Sequence, residues 1–205
     1  MKFSQVRMDN RGFTLIELMV AMTISLVVMA AIYTTFQAQT RSWVAQQEMA
    51  NLQQNLRAGM YHLERAIRMA GYDPQNSRAF GFVSNFTISP YTGAGCTTDG
   101  DDIAFTVDAD NNGTIDANAN ELVCYRRNPT TNVLQKFLTS GTGDWQPVAY
   151  NITSIAFTYL DDVNVPTTDL SDIQTVQITL TAQSSHPTIT SPPRTLTSRV
   201  RCRNL

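Results

Sequence analysis

The stretch RGFTLIELMVAMTISLVVMAAIYTTF, residues 11–36, decides how the rest of the chain is organised. From Phe13 to Phe36 the only charged side chain is that of Glu17. The run is long enough to cross a hydrocarbon core of about 30 Å as a helix. A carboxylate inside such a span costs about 3 kcal/mol to insert, so Glu17 is a candidate functional residue. An ordinary signal anchor would explain the apolar run and its basic flank, but it would not explain Glu17.

The segment Gly12–Glu17 resembles the processing and methylation site of type IV prepilins and of type II secretion pseudopilins. The residue types, their spacing and their N-terminal position all agree with that site. The resemblance implies that a prepilin peptidase removes a leader, residues 1–12, by cutting after Gly12. It also implies that the peptidase methylates the new amino group of Phe13, and that Glu17 pairs with the Phe13 amine of a neighbouring subunit.

The same resemblance implies where the protein acts and with what. A single-pass anchor in the inner membrane would precede assembly, and the mature subunit would then join other minor and major pilins in a pilus that faces the periplasm and the exterior. The basic residues ahead of the apolar run agree with a leader on the cytoplasmic side, and they are Lys2, Arg7 and Arg11.

Length and composition fit one globular domain plus one membrane or filament helix. The chain has 205 residues and a formal net charge of −2. This near-neutral balance gives no indication of a nucleic-acid surface. Its two histidines have no nucleophile motif beside them, so we expect a protein that is not an enzyme.

Three segments follow the leader. Residues 13–40 form an apolar transmembrane or filament-core helix, and residues 41–72 continue it as an amphipathic half. In that half, apolar residues recur at steps of three and four, which indicates one buried helix face. They are Met49, Leu52, Leu56, Met60, Leu63, Ile67 and Ala70. The helix should stop near Gly71.

Residues 73–205 form a globular β domain. The alternation of apolar and polar residues over Val176–Leu180 is typical of a half-buried strand. A long helix followed only by strands predicts an α+β, pilin-like fold, with the helix packed on an antiparallel sheet. The predicted strands are Phe80–Ile88, Asp102–Val107, Glu121–Arg127, Val133–Leu138, Ile152–Leu160, Ile173–Ala182 and Arg194–Arg203.

A second resemblance concerns residues 63–72, 152–162 and 200–204, which are similar to the helix end, a strand with its acidic turn and the last strand of PilW-like minor pilins. It implies a minor pilin that takes part in type IV pilus assembly as a priming or tip subunit. Two alternatives stay open: a minor pseudopilin of the J class in a type II secretion system, and a surface adhesion module.

The segment Asp108–Asp116 has the ligand pattern that opens an EF-hand-type calcium loop. Oxygen-bearing side chains alternate with other residues, and a glycine stands at the sixth position. The twelfth position is Ala119 instead of glutamate, but Glu121 lies two residues later and is a candidate substitute. We expect a structural Ca²⁺ site in a hairpin, with ligands Asp108, Asp110, Asn112, Thr114, Asp116 and Glu121. A metal-free polar turn is the alternative.

The chain has three cysteines, Cys96, Cys124 and Cys202. In a domain that faces an oxidising compartment, one disulfide is expected and one thiol is left over. The sequence does not select the pair. We favour Cys96 with Cys124, since both flank the same predicted hairpin, and three reduced cysteines remain the alternative.

Overall fold

The computed structural model describes residues 12–84, 98, 100–116, 120–138, 144–184 and 192–205. One long helix, α1, spans Leu15–Ile67, and seven strands follow it in the part of the chain that is described. The strands are β1 (Asp102–Thr106), β2 (Leu122–Asn128), β3 (Val133–Leu138), β4 (Asp144–Ala149), β5 (Ile152–Leu160), β6 (Thr175–Ala182) and β7 (Arg194–Arg201). The predicted α+β, pilin-like class is confirmed.

The strands form two antiparallel sheets, where the sequence predicted one. Sheet A has the order β1-β2-β3-β4, and sheet B has the order β5-β6-β7. Neighbouring strands in each sheet are consecutive in sequence, so both sheets are meanders. The chain changes sheets between β4 and β5 at Asn151, whose φ of 62° is left-handed. Asparagine tolerates this conformation better than most residues do.

The chain divides into two compact units, Met1–Gln46 and Gln47–Leu205, and α1 contributes to both. In the first unit the large apolar side chains of α1 are exposed from Leu15 to Phe36. Among the described residues, α1 is the one helix long and apolar enough to cross a membrane, and none of its most apolar window is buried. This half of α1 therefore has the surface of a membrane-spanning helix.

In the second unit, the amphipathic half of α1 buries the predicted apolar stripe. Leu52, Leu63 and Ile67 have no exposed surface. They belong to one core cluster with residues from both sheets, among them Phe105 of sheet A and Ile178 of sheet B. Alternate burial along β6 confirms the strand that its sequence pattern predicted. Both sheets therefore share a single core with α1.

The helical segment ends at Ile67, and a turn carries the chain to Gly71. Gly71 has a φ of +72°, and its backbone N–H donates to the carbonyl oxygen of Thr106 at the end of β1. A glycine just past a helix takes this left-handed conformation without a steric cost. The predicted stop near Gly71 agrees with this geometry, and the chain then runs beside β1.

Two strand predictions differ from the structure. The segment Asp144–Ala149 was not predicted as a strand, and it forms β4 at the edge of sheet A. Pro147 lacks a backbone donor and is therefore unfavourable in a central strand, although an edge position tolerates proline. Of the strand predicted over Phe80–Ile88, the described part forms only an isolated bridge between Phe82 and Phe105, and its residues beyond 84 lie outside the described chain.

Candidate functional site

The predicted processing site is exposed. Phe13 keeps 92 % of its surface exposed, and a Cβ built on Gly12 meets no atom within 4 Å. Within the described part of the chain, packing therefore does not require glycine at position 12. Both residues precede the first residue of α1, so a cut between them leaves the helix whole.

Glu17 lies in the first turn of α1 and hydrogen-bonds with Thr14, a contact that the sequence analysis did not predict. Its Oε2 accepts from the Thr14 backbone N–H at 2.9 Å and from the Thr14 hydroxyl at 2.9 Å. The Glu17 N–H donates back to Thr14 Oγ1 at 3.3 Å. This reciprocal arrangement is a capping box, for which a threonine followed three residues later by glutamate is the sequence signal. Glu17 thus has a role within its own helix.

The acidic loop after β1 folds back on itself through its own side chains. The two carboxylate oxygens of Asp108 accept from the backbone N–H groups of Asn112 and Gly113, at 3.1 and 3.2 Å. Gly113 has a φ of 75°, which explains the glycine at the sixth position of the motif. The side chain of Asn112 reaches Asp110 Oδ2 at 3.0 Å and Asp116 Oδ2 at 2.7 Å.

Glu121 closes this loop from the first residue before β2. Its backbone carbonyl accepts from Val107 N–H at 2.8 Å, which pairs the two ends of the hairpin. Its Oε1 accepts from Ala109 N–H at 3.1 Å, and its Oε2 accepts from Asp116 N–H at 2.6 Å. The loop's carboxylate ligand atoms thereby converge: one oxygen each of Asp108, Asp110 and Glu121 lies within 4.8 Å of the other two.

The remaining predicted ligands lie around this cluster. Asn112 links it to Asp116, whereas the Thr114 hydroxyl donates to Asn112 Oδ1 at 2.8 Å. Ala119 lies outside the described residues. Gln75, which the sequence analysis did not identify, donates to the carbonyl oxygen of Asn111 at 3.0 Å. No local motif could have found Gln75, since it reaches the loop from the segment after α1.

Two of the three carboxylates in this cluster are completely buried. Asp108 and Glu121 have no exposed surface. Among the residues that the structure describes, no Lys or Arg forms a salt bridge with either of them. Buried carboxylates without a cationic side chain are costly unless hydrogen bonds or a bound cation compensate. An arrangement of oxygen donors around a small space suits a hard divalent cation.

The cysteines differ in state. Cys124 on β2 is disulfide-bonded, whereas Cys202 is a buried free thiol whose pKa is raised to about 12 by burial. Cys96 lies outside the described residues, so the pairing of Cys96 with Cys124 stays a prediction. Cys124 belongs to a second apolar cluster on sheet A, with Ala104, Leu122 and Phe137.

Models of known protein families match most of the chain. Residues 45–202 match the family described as prepilin peptidase-dependent protein B. Residues 7–33 match the prokaryotic N-terminal methylation motif, and this match includes Gly12, Phe13 and Glu17. No curated protein and no solved structure matches the chain.

Proposed function

Because the chain belongs to the prepilin peptidase-dependent protein B family and carries the N-terminal methylation motif, we propose that it is a PilW-type minor pilin. In this proposal it is a structural subunit that primes or caps a type IV pilus together with other minor and major pilins. The observation that carries the proposal is the exposed Gly12–Phe13 junction directly before an apolar, exposed helix half.

The prepilin peptidase is the processing partner that the family implies, and the apolar half of α1 supports single-pass anchoring. After the cut, Phe13 carries a methylated, protonated amine. The Glu17 carboxylate then pairs with this amine of a neighbouring subunit, because a carboxylate in an apolar surrounding is far less costly when it is paired. The pair would set the axial register of an incoming subunit.

The capping box allows the charge of Glu17 to be tested separately from its hydrogen bonds. Glu17→Gln keeps an oxygen that accepts from Thr14 but removes the charge, whereas Thr14→Ala removes the cap but keeps the charge. We expect Glu17→Gln to abolish incorporation into sheared filaments and Thr14→Ala to leave most of it. The measurement is mass spectrometry of the N-terminal peptide in the membrane and filament fractions of the native host.

Each outcome of this measurement has a distinct meaning. Methylated Phe13 in filaments of the unaltered strain supports the pilus subunit. Methylated Phe13 confined to membranes instead favours the J-class pseudopilin of a secretion system. Equal incorporation of Glu17→Gln and the unaltered chain would mean that Glu17 acts only as a cap. A surface adhesion module has no further support from the described residues.

We also propose that the loop from Asp108 to Asp116, closed by Glu121, binds one structural Ca²⁺. Support comes from the converging carboxylate oxygens of Asp108, Asp110 and Glu121, and from the complete burial of the first and last of these. The cation would compensate the buried charges. It would also stiffen the β1–β2 hairpin, because loop residues that now bond to each other would share one ion.

Calcium binding is measured by calorimetry and by thermal unfolding of the full chain in detergent micelles. We expect binding of Ca²⁺ and a melting temperature that falls in chelator, with Mg²⁺ a weak substitute. Asp110→Asn should weaken binding without disturbing the core, since Asp110 is exposed. Asp162→Asn, in an exposed turn, is the matched control. Coinciding melting curves with and without Ca²⁺, together with no heat of binding, would contradict the proposal.

A further inference from the structure

A cleft of about 560 Å³ lies beside the acidic loop, which contributes Asp108, Ala109 and Asn111 to its lining. One wall is the exposed side of the last turns of α1, and the floor is the inner face of sheet A. Its volume is within the range of ligand sites in proteins. The lining includes Tyr61, Arg65, Met69, Val123, Tyr125 and Lys136.

The floor of the cleft presents two polar groups that have no partner among the described residues. Tyr125 and Lys136 are cross-strand neighbours of β2 and β3, so their side chains lie on the same face. Tyr125 is only 2 % exposed, yet its hydroxyl forms no hydrogen bond with any described residue. Lys136 is half-buried, and it forms no salt bridge within the described chain. Both groups can therefore form hydrogen bonds with a molecule in the cleft.

Lys136 is one of two cationic side chains in the lining of the cleft. Arg65 on α1 adds a second cation to the lining. The lining's only carboxylate, among its described residues, belongs to Asp108, which has no exposed surface and accepts hydrogen bonds within its own loop. Burial raises the pKa of Tyr125 to about 12, so the phenol remains a hydrogen-bond donor. Two cations and a phenol donor together suit a carboxylate.

Most of the remaining lining is apolar or aromatic, and Asn111 and Asn120 are its polar members. Phe105 and Val123 are buried at its floor. Tyr61 and Met69 at its rim remain 59 % and 46 % exposed, respectively. Tyr61 and Met69 offer contact area to an extended backbone and its apolar side chains, which a free small acid would leave unused.

We propose that this cleft binds an acidic peptide segment of another protein chain, with a Glu or Asp carboxylate held by Lys136, Arg65 and the Tyr125 hydroxyl. The side chains that flank this carboxylate in the segment would pack on Tyr61 and Met69. The cleft would then be a lateral contact site of the β domain, separate from the contacts of the apolar half of α1.

The test is calorimetry of the full chain in detergent micelles with end-blocked tripeptides. The probe is leucine-glutamate-leucine, and its matched control is leucine-glutamine-leucine. We expect the acidic peptide to bind, and Lys136→Met or Tyr125→Phe to weaken it about tenfold or more, because each removes a bond to a charged group. Arg65→Gln should also weaken it. Arg68→Gln is the matched control on the same helix, since Arg68 pairs with Glu64 and does not line the cleft.

Three results would overturn the proposal. Equal binding of the two peptides would make the cleft an apolar groove without charge selection. Binding of glutarate as tight as that of the acidic peptide would make it a site for small acids. Absence of binding of the acidic peptide at millimolar concentration would remove the site altogether. Circular dichroism of Lys136→Met and Tyr125→Phe separates lost binding from lost folding.

Discussion

At the scale of single residues, Glu17 and Glu121 both accept hydrogen bonds, but their partners lie at different distances along the chain. Glu17 bonds with Thr14, three residues away, so its local role is readable in the sequence. Glu121 accepts from Ala109 and Asp116 across a hairpin, so its role depends on how β1 and β2 pair. Asp102 is a third case, because its environment disfavours the ionised form of its carboxyl group.

Asp102 opens β1, directly across from Arg126 of β2. Burial raises its pKa from 3.8 to about 6, in spite of the attraction of Arg126. A carboxyl with a raised folded-state pKa contributes stability below its unfolded pKa, and that contribution is lost as the pH rises through the folded value. The free energy of unfolding should therefore carry a penalty at neutral pH that is absent in acid.

We predict that Asp102→Asn raises the melting temperature at about pH 7 and that this gain disappears at about pH 4. Thermal unfolding across this range measures it, with the exposed Asp162→Asn as control, for which we expect no gain at either pH. A gain for Asp102→Asn that is the same at both ends of the range would show that ionisation is not its cause.

At the scale of elements, α1 has two halves with opposite surfaces. Its first half exposes apolar residues on all sides, whereas its second half buries one stripe against both sheets. Gly59 stands in that stripe and packs against strands of sheet A. A Cβ at Gly59 would lie 3.2 Å from Ala149 Cβ and 3.3 Å from Leu134 Cδ2. The glycine, which lowers helix propensity, is explained here by close packing.

We predict that Gly59→Val destabilises the fold by about 1–3 kcal/mol, because its branched side chain overpacks the contact with sheet A. Chemical denaturation of the full chain in micelles measures the change. Arg57→Val introduces the same side chain at an exposed position of α1 and should cost only the small difference in helix propensity. Equal losses in the two variants would show that packing at position 59 is not tight.

At the scale of the whole molecule, the arrangement is one helix, two antiparallel meanders and a shared core. Sheet A carries apolar residues on both of its faces: Phe105 and Val123 join the core with α1, while Ala104 and Phe137 form the second cluster. The acidic loop extends from the β1–β2 hairpin of this sheet, and the cleft lies next to it. Sheet A therefore carries both binding sites that we propose, and sheet B completes the core.

The sequence by itself determined the helix, its two halves, the processing motif and most of the strands. These features depend on residues that are close along the chain, such as the periodic stripe from Leu52 to Ile67 or the spacing from Gly12 to Glu17. The sequence did not predict β4. This strand contains Pro147 and lacks an alternation of apolar and polar residues, so no local pattern indicated it.

Only the tertiary structure decided which distant residues meet. It divided the strands into two sheets, brought Glu121 to the carboxylates of Asp108 and Asp110, and set Tyr125 beside Lys136 opposite Arg65. Hairpin register and the packing of α1 on sheet A determine these contacts, and neither is encoded in a short motif. The physical reason is that burial and charge at a site are properties of the assembled core, whereas periodicity is a property of one element.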